Sequence, residues 1–303
     1  MNYFITAANA RFFYMCLGLV LSIKRQTWPN QTSICILDVG LTKEQHLLLE
    51  SLVNKIVIPD WDFPKTDFSS FPIWYRAMTA RPHLPKYFPG AEVYVWIDAD
   101  AWVQSWSHIE KLIESAQRGR LSIIEERYGK GINLNYQDSY GKENSFIITA
   151  ESVKKNITTC YHQAFGPEIA AELGHIPSFN VGLFALRGDS QAWDIWRNYL
   201  QIGLKNGFNF FMEQQALNVA IRRKEIEIVN FPTDFNYLCT HGLPEFDTQI
   251  KKFVTPYENK DIIGLLHLAD LKWFAEVPIR RLPDNSYKQM PLQYISLLAN
   301  SII

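Results

Sequence analysis

Two aspartates spaced two residues apart, Asp98 and Asp100, follow the apolar run Val93-Tyr94-Val95-Trp96-Ile97. Alternate residues of a strand point to the same side, so both carboxylates can face one small volume at the end of that strand. Two like charges held there repel unless a cation neutralises them. Oxygen donors suit Mg²⁺ or Mn²⁺, and such ions are commonly shared with the phosphates of a substrate. In an open α/β sheet, ligands bind beyond the carboxyl ends of the strands, and this pair stands there. The same spacing recurs at Asp60 and Asp62, but that pair follows Pro59 in a polar loop and reads as turn chemistry. On local context alone, Asp98 and Asp100 are either a metal site or a solvated strand end.

The elements that must position them follow a simple rhythm. Short apolar segments alternate with helical periodicities along most of the chain, the pattern of βαβ units and a largely parallel sheet. Strands are expected over 3–6, 33–37, 55–58, 93–97, 121–124, 179–186 and 262–266. The continuous apolar run of 93–97 fits a central strand covered on both faces. Helices are expected over 10–22, from a Thr42 cap to 53, along a face formed by Ala192, Trp193, Trp196, Tyr199 and Leu200, and over 211–222. Residues 73–87 read as a helical stretch interrupted by Pro82 and Pro85, and 127–145, with Gly129, Gly131 and Gly141, as a long surface loop. Pro278, Pro283 and Pro291 punctuate the end of the chain before a short apolar helix over 292–303.

Composition narrows the classes of function. The chain has 303 residues, 47% hydrophobic and 20% charged, enough to bury a core and too apolar for wholesale disorder. The formal net charge of −1 excludes the basic excess of a nucleic-acid binder. Aromatics reach 14%, with nine Trp, which serves core packing and also suits stacking against sugar rings. The four cysteines form no close pair; Cys16 and Cys35 read as small buried hydrophobes, and a reducing cytoplasm is expected. The apolar run 12–23 falls short of the roughly 20 residues a bilayer span needs and reads as a buried helix.

The stretch IWYRAMTARPHLPKYFPGAEVYVWIDADAWV resembles the region around the Asp-x-Asp of retaining GT-A glycosyltransferases. The likeness is greatest to glycosyltransferase family 8, the group of glycogenin and bacterial lipopolysaccharide galactosyltransferases. It continues in order through FNVGLFALRGDSQAWDIW, MEQQALN, FPTDFNYLC and LLHLADLKWF, so that it spans residues 3–274. The resemblance implies an α/β GT-A nucleotide-diphospho-sugar transferase fold, with a mostly parallel central sheet flanked by helices.

Carried over residue by residue, the resemblance implies that Asp98, Asp100 and His267 bind a divalent cation, Mn²⁺ or Mg²⁺, that grips the donor diphosphate. An imidazole ligand favours Mn²⁺. Thr6, Ala7 and Asn9 match a segment that hydrogen-bonds uracil. Asn9 replaces an Asp, and its amide oxygen can still accept the uracil N–H. Of the two arginines ahead of the metal motif, Arg76 is expected to touch the donor, since Arg81 is followed by Pro82. Ala99, Asn180 and Gly182 fall beside the donor, and Lys272 offers a point charge to a phosphate. Glu213 and Gln214 take the catalytic positions at the donor sugar, with Gln214 at the β-face of the anomeric carbon. Two departures stand out: Gln215 replaces a second acidic residue, and Asp270 replaces a glycine.

The expected activity is transfer of a sugar from a nucleotide-sugar donor, a UDP-sugar, to a carbohydrate or glycolipid acceptor with retention of configuration. A nucleotidyltransferase acting on a sugar phosphate is the rival enzyme, although residues 7–13 lack its Gly-rich basic loop. A catalytically inactive carbohydrate-binding protein is the rival that Asp270 and Gln215 support. A transferase domain is expected over 1–275 and a helical tail over 276–303, where Arg280, Arg281 and Lys288 suit peripheral contact with the anionic inner face of a membrane.

Overall fold

The computed structural model describes residues 1–26, 32–127, 129, 131–137 and 143–303. β1 (Asn2–Ala8), α1 (Phe13–Arg25), β2 (Thr32–Asp38), α2 (Lys43–Glu50) and β3 (Lys55–Val57) form the first winding. α2 starts at the expected cap: Thr42 accepts from the Gln45 N–H while the Gln45 side chain returns to the Thr42 N–H, a capping box. Pro82 and Pro85 limit the next stretch to short helical pieces, α3 (Arg76–Ala80) and α4 (Leu84–Tyr87).

β4 (Val93–Ile97) obeys the two-residue period. Val93, Val95 and Ile97 enter one core, and Tyr94 and Trp96 enter the core on the opposite face. β5 (Ala101–Val103), α5 (Trp106–Gln117) and β6 (Leu121–Glu125) follow. The stretch expected as a loop holds β7 (Ile132–Gln137) and β8 (Glu143–Ile148), which pair antiparallel; residues 128, 130 and 138–142 lie outside the described residues. Gly129, Gly131 and Gly141 and the high polarity suggested a loop, yet Ile132-Asn133-Leu134-Asn135 alternates with the strand period, and Ile132 and Leu134 are buried. Gly131 turns into the hairpin with φ +77, and a Cβ there would lie 2.0 Å from the Ile148 carbonyl oxygen.

The chain continues through α6 (Ala150–Phe165), α7 (Pro167–Leu173), β9 (Phe179–Arg187), α8 (Ala192–Leu204), α9 (Met212–Arg222) and β10 (Ile228–Phe231). The central sheet has the order β10-β6-β9-β4-β1-β2-β3. Its pairings are parallel except those of β9, which runs antiparallel to both β4 and β6. The expected α/β class, with helices flanking a mostly parallel sheet, is thus observed.

Smaller sheets complete the fold. β11 (Tyr237–Leu238), β12 (Glu245–Asp247), β13 (Lys252–Val254) and β14 (Leu265–His267) precede β15 (Val277–Leu282), β16 (Tyr287–Met290) and α10 (Tyr294–Ala299). β14 lies between β11 and β5 in a three-stranded sheet. Residues 276–303, expected to be a helical tail, instead begin with the β15–β16 hairpin, which joins β12 and β13 in a four-stranded sheet. Val277, Ile279 and Met290 are buried there, and the prolines that suggested a break lie at the strands' margins or on an edge. The expected terminal helix is only α10, close to α1 at Gly18, whose added Cβ would sit 3.4 Å from Tyr294 Cβ. The apolar run 12–23 lies in α1, with Cys16, Leu19, Val20 and Ile23 buried. Among the described residues no helix is long and apolar enough to cross a membrane. All four cysteines are free and buried.

Candidate functional site

Strand geometry brings the acidic pair and the distant histidine together. β4 ends in a tight turn in which the Ala101 N–H donates to the Asp98 carbonyl at 3.0 Å. β5 then pairs with β14, setting His267 opposite Ala101, and the Leu268 N–H donates to the Asp100 carbonyl at 2.9 Å. The ligand atoms of Asp98, Asp100 and His267 consequently lie within 4.8 Å of one another. His267 Nε2 stands 3.9 Å from Asp98 Oδ2 and 3.5 Å from Asp100 Oδ1.

The outer oxygen of each carboxylate is already committed. Asp98 Oδ1 accepts from Arg81 Nη2 at 2.8 Å and from Trp96 Nε1 at 2.7 Å. Asp100 Oδ2 faces Lys272 Nζ at 2.9 Å. The remaining oxygens, Asp98 Oδ2 and Asp100 Oδ1, face His267 Nε2. An ion about 2.0–2.2 Å from two ligands separates them by roughly 3–4 Å, which matches both distances. Two hard oxygens and one borderline nitrogen suit a divalent ion such as Mn²⁺ or Mg²⁺. The donor set fits.

Burial works against the charge on Asp100, but the adjacent imidazole and the Lys272 ammonium outweigh it and hold the carboxyl well below the usual range. Burial likewise opposes protonation of His267, and the hydrogen bond and charge of Asp100 overcome it, raising the imidazole. Gly182 makes this packing possible. A Cβ there would lie 2.3 Å from His267 Cε1 and 2.8 Å from Asn180 Oδ1.

The cluster borders a cavity of about 430 Å³ whose wall also includes Arg81, Glu126, Asn180, Glu213, Gln214, His241 and Lys272. Glu213 and Gln214 stand in the first turn of α9. Arg81 is a buried bridge: Nη1 donates to Glu213 Oε1 at 2.8 Å, Nη2 reaches Asp98, and the guanidinium lies 4.4 Å over the Trp96 ring. Burial pushes the Glu213 carboxyl up to about 7 despite the Arg81 charge, with Asp98 adding to the rise. Gln214 Oε1 accepts from the Val181 N–H at 3.3 Å. Gln215 points elsewhere and donates to the Ile157 carbonyl at 3.2 Å.

Other expected site residues fall differently. Arg76 lies 5.2 Å over the Trp61 ring and is not on the cavity wall; Arg81, set aside because Pro82 follows it, is the arginine that reaches Asp98 and Glu213. Pro82 sits in the first turn of a 3₁₀ segment, where its missing N–H costs nothing. Thr6, Ala7, Asn9, Ala99 and Gly182 also lie off the wall, Gly182 being packed against His267. Asn9 Oδ1, expected to accept from a base, instead accepts from the Arg11 and Phe12 N–H groups at 3.0 and 3.2 Å, capping the turn before α1. Residues 6–9 nevertheless end β1, whose Ile5 pairs with Trp96 of β4, so they share an edge of the site. Glu126, Asn236 and His241 had drawn no role from the sequence. Asn236 lies inside FPTDFNYLC and Glu126 follows the end of β6, the two positional signals that were available.

The fold is that of GT-A glycosyltransferases, as likeness to solved structures shows. The galactosyltransferase LgtC, solved in complex with donor and acceptor sugar analogs, superposes with a TM-score of 0.51 at 10% identity, covering 88% of this chain and 86% of that one. An active-site mutant of LgtC gives 0.50 at 10% identity over the same shares, 88% and 86%. Mouse xyloside xylosyltransferase 1 gives 0.48 at 8% identity, covering 88% and 98%. No family model and no curated protein matches the sequence. The likeness is one of fold.

Proposed function

We propose that the chain is a glycosyltransferase that moves a sugar from a nucleotide-sugar donor, a UDP-sugar, to a carbohydrate or glycolipid acceptor, with a divalent cation and with retention of configuration. The observation that carries this reading is the convergence of Asp98, Asp100 and His267 on the same cavity as Glu213 and Gln214. LgtC, which shares the fold, binds donor and acceptor sugar analogs, and that supports a two-substrate cavity here.

Asp98, Asp100 and His267 would hold Mn²⁺ or Mg²⁺, which would supply a Lewis acid for the departing diphosphate. Lys272, on the Asp100 side, adds a point charge for a phosphate oxygen. Asn180 stands where β9 borders the cavity that receives the donor sugar, Gly182 leaves room for His267 behind it, and Glu213 and Gln214 face the cavity from α9. The amide of Gln214 cannot form the glycosyl ester that a carboxylate nucleophile would. The acceptor hydroxyl therefore attacks from the face of the leaving group: its oxygen bonds the anomeric carbon as the bond to the diphosphate breaks, its proton passes to the departing phosphate oxygen, and configuration is retained. Thr6, Ala7 and Asn9 receive the nucleoside beside Ala99. With Asn9 Oδ1 engaged in the cap, its amide N–H₂ remains to donate to a uracil carbonyl.

The reading is tested by hydrolysis of a UDP-sugar panel with Mn²⁺. Slow turnover that a chelator abolishes is expected, and Asp98→Ala should lower it by about 10³-fold. An Asp98→Ala chain working at the wild-type rate refutes the account. Release of pyrophosphate from a nucleoside triphosphate would instead identify a nucleotidyltransferase. Gln215 faces α6 and not the cavity, so of the two departures that suggested an inactive protein only Asp270 lies on the cavity wall.

A further inference from the structure

We infer that Glu126, Asn180 and Asn236 form a one-way hydrogen-bond chain that fixes which ring nitrogen of His267 carries the proton, and so turns a lone pair toward the cation. The inference rests on the reading of His267 as a metal ligand and adds the positioning residues behind it.

The direction of the chain follows from its two ends. Asn180 Oδ1 takes the Gly182 N–H at 2.8 Å, a backbone donor that cannot rotate away. The Asn180 amide nitrogen must then point the other way, where it donates to Glu126 Oε1 at 2.8 Å. A carboxylate only accepts, so the two contacts demand the same orientation. Asn236 meets Asn180 Oδ1 at 2.9 Å, and since that oxygen accepts, Asn236 presents its amide nitrogen. Its own oxygen is left facing His267 Nδ1 at 3.2 Å. An oxygen there requires a proton on Nδ1.

A neutral imidazole carries one N–H, so Nε2 is left with its lone pair. That nitrogen faces Asp98 Oδ2 and Asp100 Oδ1 at 3.9 and 3.5 Å. His267, Asn236, Asn180 and Glu126 are 5%, 1%, 7% and 7% exposed, so bulk water has little access to scramble the order. Metal-binding histidines are commonly oriented through their second nitrogen. Here that control is relayed through two amides to a carboxylate that follows β6, and Glu126 acts as a positioning residue without touching the ligand set.

The test needs no substrate. Imidazole ¹⁵N shifts of the cation-free protein, recorded at alkaline pH with His267 assigned by its Gln variant, report the tautomer directly. The Nδ1–H form is expected for wild type. Asn236→Leu should lose that preference and bind Mn²⁺ 10–100-fold more weakly, read from the free-Mn²⁺ paramagnetic resonance signal. An Nε2–H tautomer in the wild type overturns the inference, as does unchanged Mn²⁺ affinity in a folded Asn236→Leu chain. Because the wild-type tautomer requires no substitution, the test survives if Asn236→Leu does not fold. Wild-type protein with the Nδ1–H form but no Mn²⁺ binding would sink the metal site itself and leave the tautomer control standing.

Discussion

The Asp-x-Asp spacing occurs twice, and the two copies meet opposite fates. At Asp60 and Asp62 the pair lies in a loop after Pro59, and Asp62 is fully engaged: Oδ1 takes Lys86 Nζ at 2.7 Å and Oδ2 takes the Tyr87 hydroxyl at 2.6 Å. The Tyr87 hydroxyl also accepts from the Asp60 N–H at 3.1 Å. Those contacts tie the loop to α4, and Asp60 is left exposed. At Asp98 and Asp100 one oxygen of each carboxylate is held and the other is left facing His267. Identical spacing thus produces a structural tether in one place and an open ligand set in the other. What decides between them is the strand that precedes the pair and the number of lone pairs left unclaimed.

Four changes sharpen or break this contrast. The largest effect is expected from Gly182→Ala, which drives a methyl into the His267 ring. Mn²⁺ affinity should fall about 10–100-fold, and overpacking should cost about 1–3 kcal/mol of stability, measured by titration and by urea denaturation. Asp62→Ala should cost about 1–3 kcal/mol, because Tyr87 and Lys86 lose a partner, while Mn²⁺ affinity stays at the wild-type value. A loss of metal binding in that variant would erase the distinction between the two pairs.

His83 provides the third test, on the structural side. Burial pushes its imidazole down to about 4, against the opposing pull of the Asp62 charge. The unfolded chain, with a histidine near its usual value of 6.5, binds the proton first as pH falls. The stability this neutral histidine supports is therefore complete above about pH 6.5 and is lost progressively toward pH 4. After solvent screening the loss is about 1–2 kcal/mol. His83→Leu should flatten the melting temperature across that window, and an unchanged slope would contradict the assignment. The smallest effect belongs to Asp60→Ala, expected within about 0.5 kcal/mol and silent in metal binding.

Much of this architecture was legible from pattern alone. The strand 93–97 was placed to the residue, because five consecutive apolar side chains ended at two carboxylates leave little choice of boundary. His267 could be paired with the aspartates only through family order, since 166 residues lie between it and Asp100 and no local period connects them. Arg81 was passed over for Arg76 because a following proline normally argues against helix. At the first position of a new turn that objection has no force. The pairs β7–β8 and β15–β16 run against the loop and tail readings because glycines and overall polarity outweighed the alternation of 132–135, and Pro278, Pro283 and Pro291 at the strand margins suggested a break. Asn236 and Glu126 carried no signal of their own: amides and carboxylates acquire a direction only when the groups on either side are known.

The reversed strand β9 has a consequence for how substrates enter. In a wholly parallel sheet the neighbour of β4 would also leave the sheet at this end, and the site would be bounded by two connecting loops. Instead β9 begins here, and its backbone accepts the Asp98 N–H at Gly182 with a 2.8 Å bond. One side of the cleft is thereby as stiff as the sheet. The facing wall, where Ile148 of β8 and Phe210 and Phe211 ahead of α9 border the cavity, stands outside the hydrogen-bond ladders of the central sheet, so the two sides of the cleft are built with unequal stiffness.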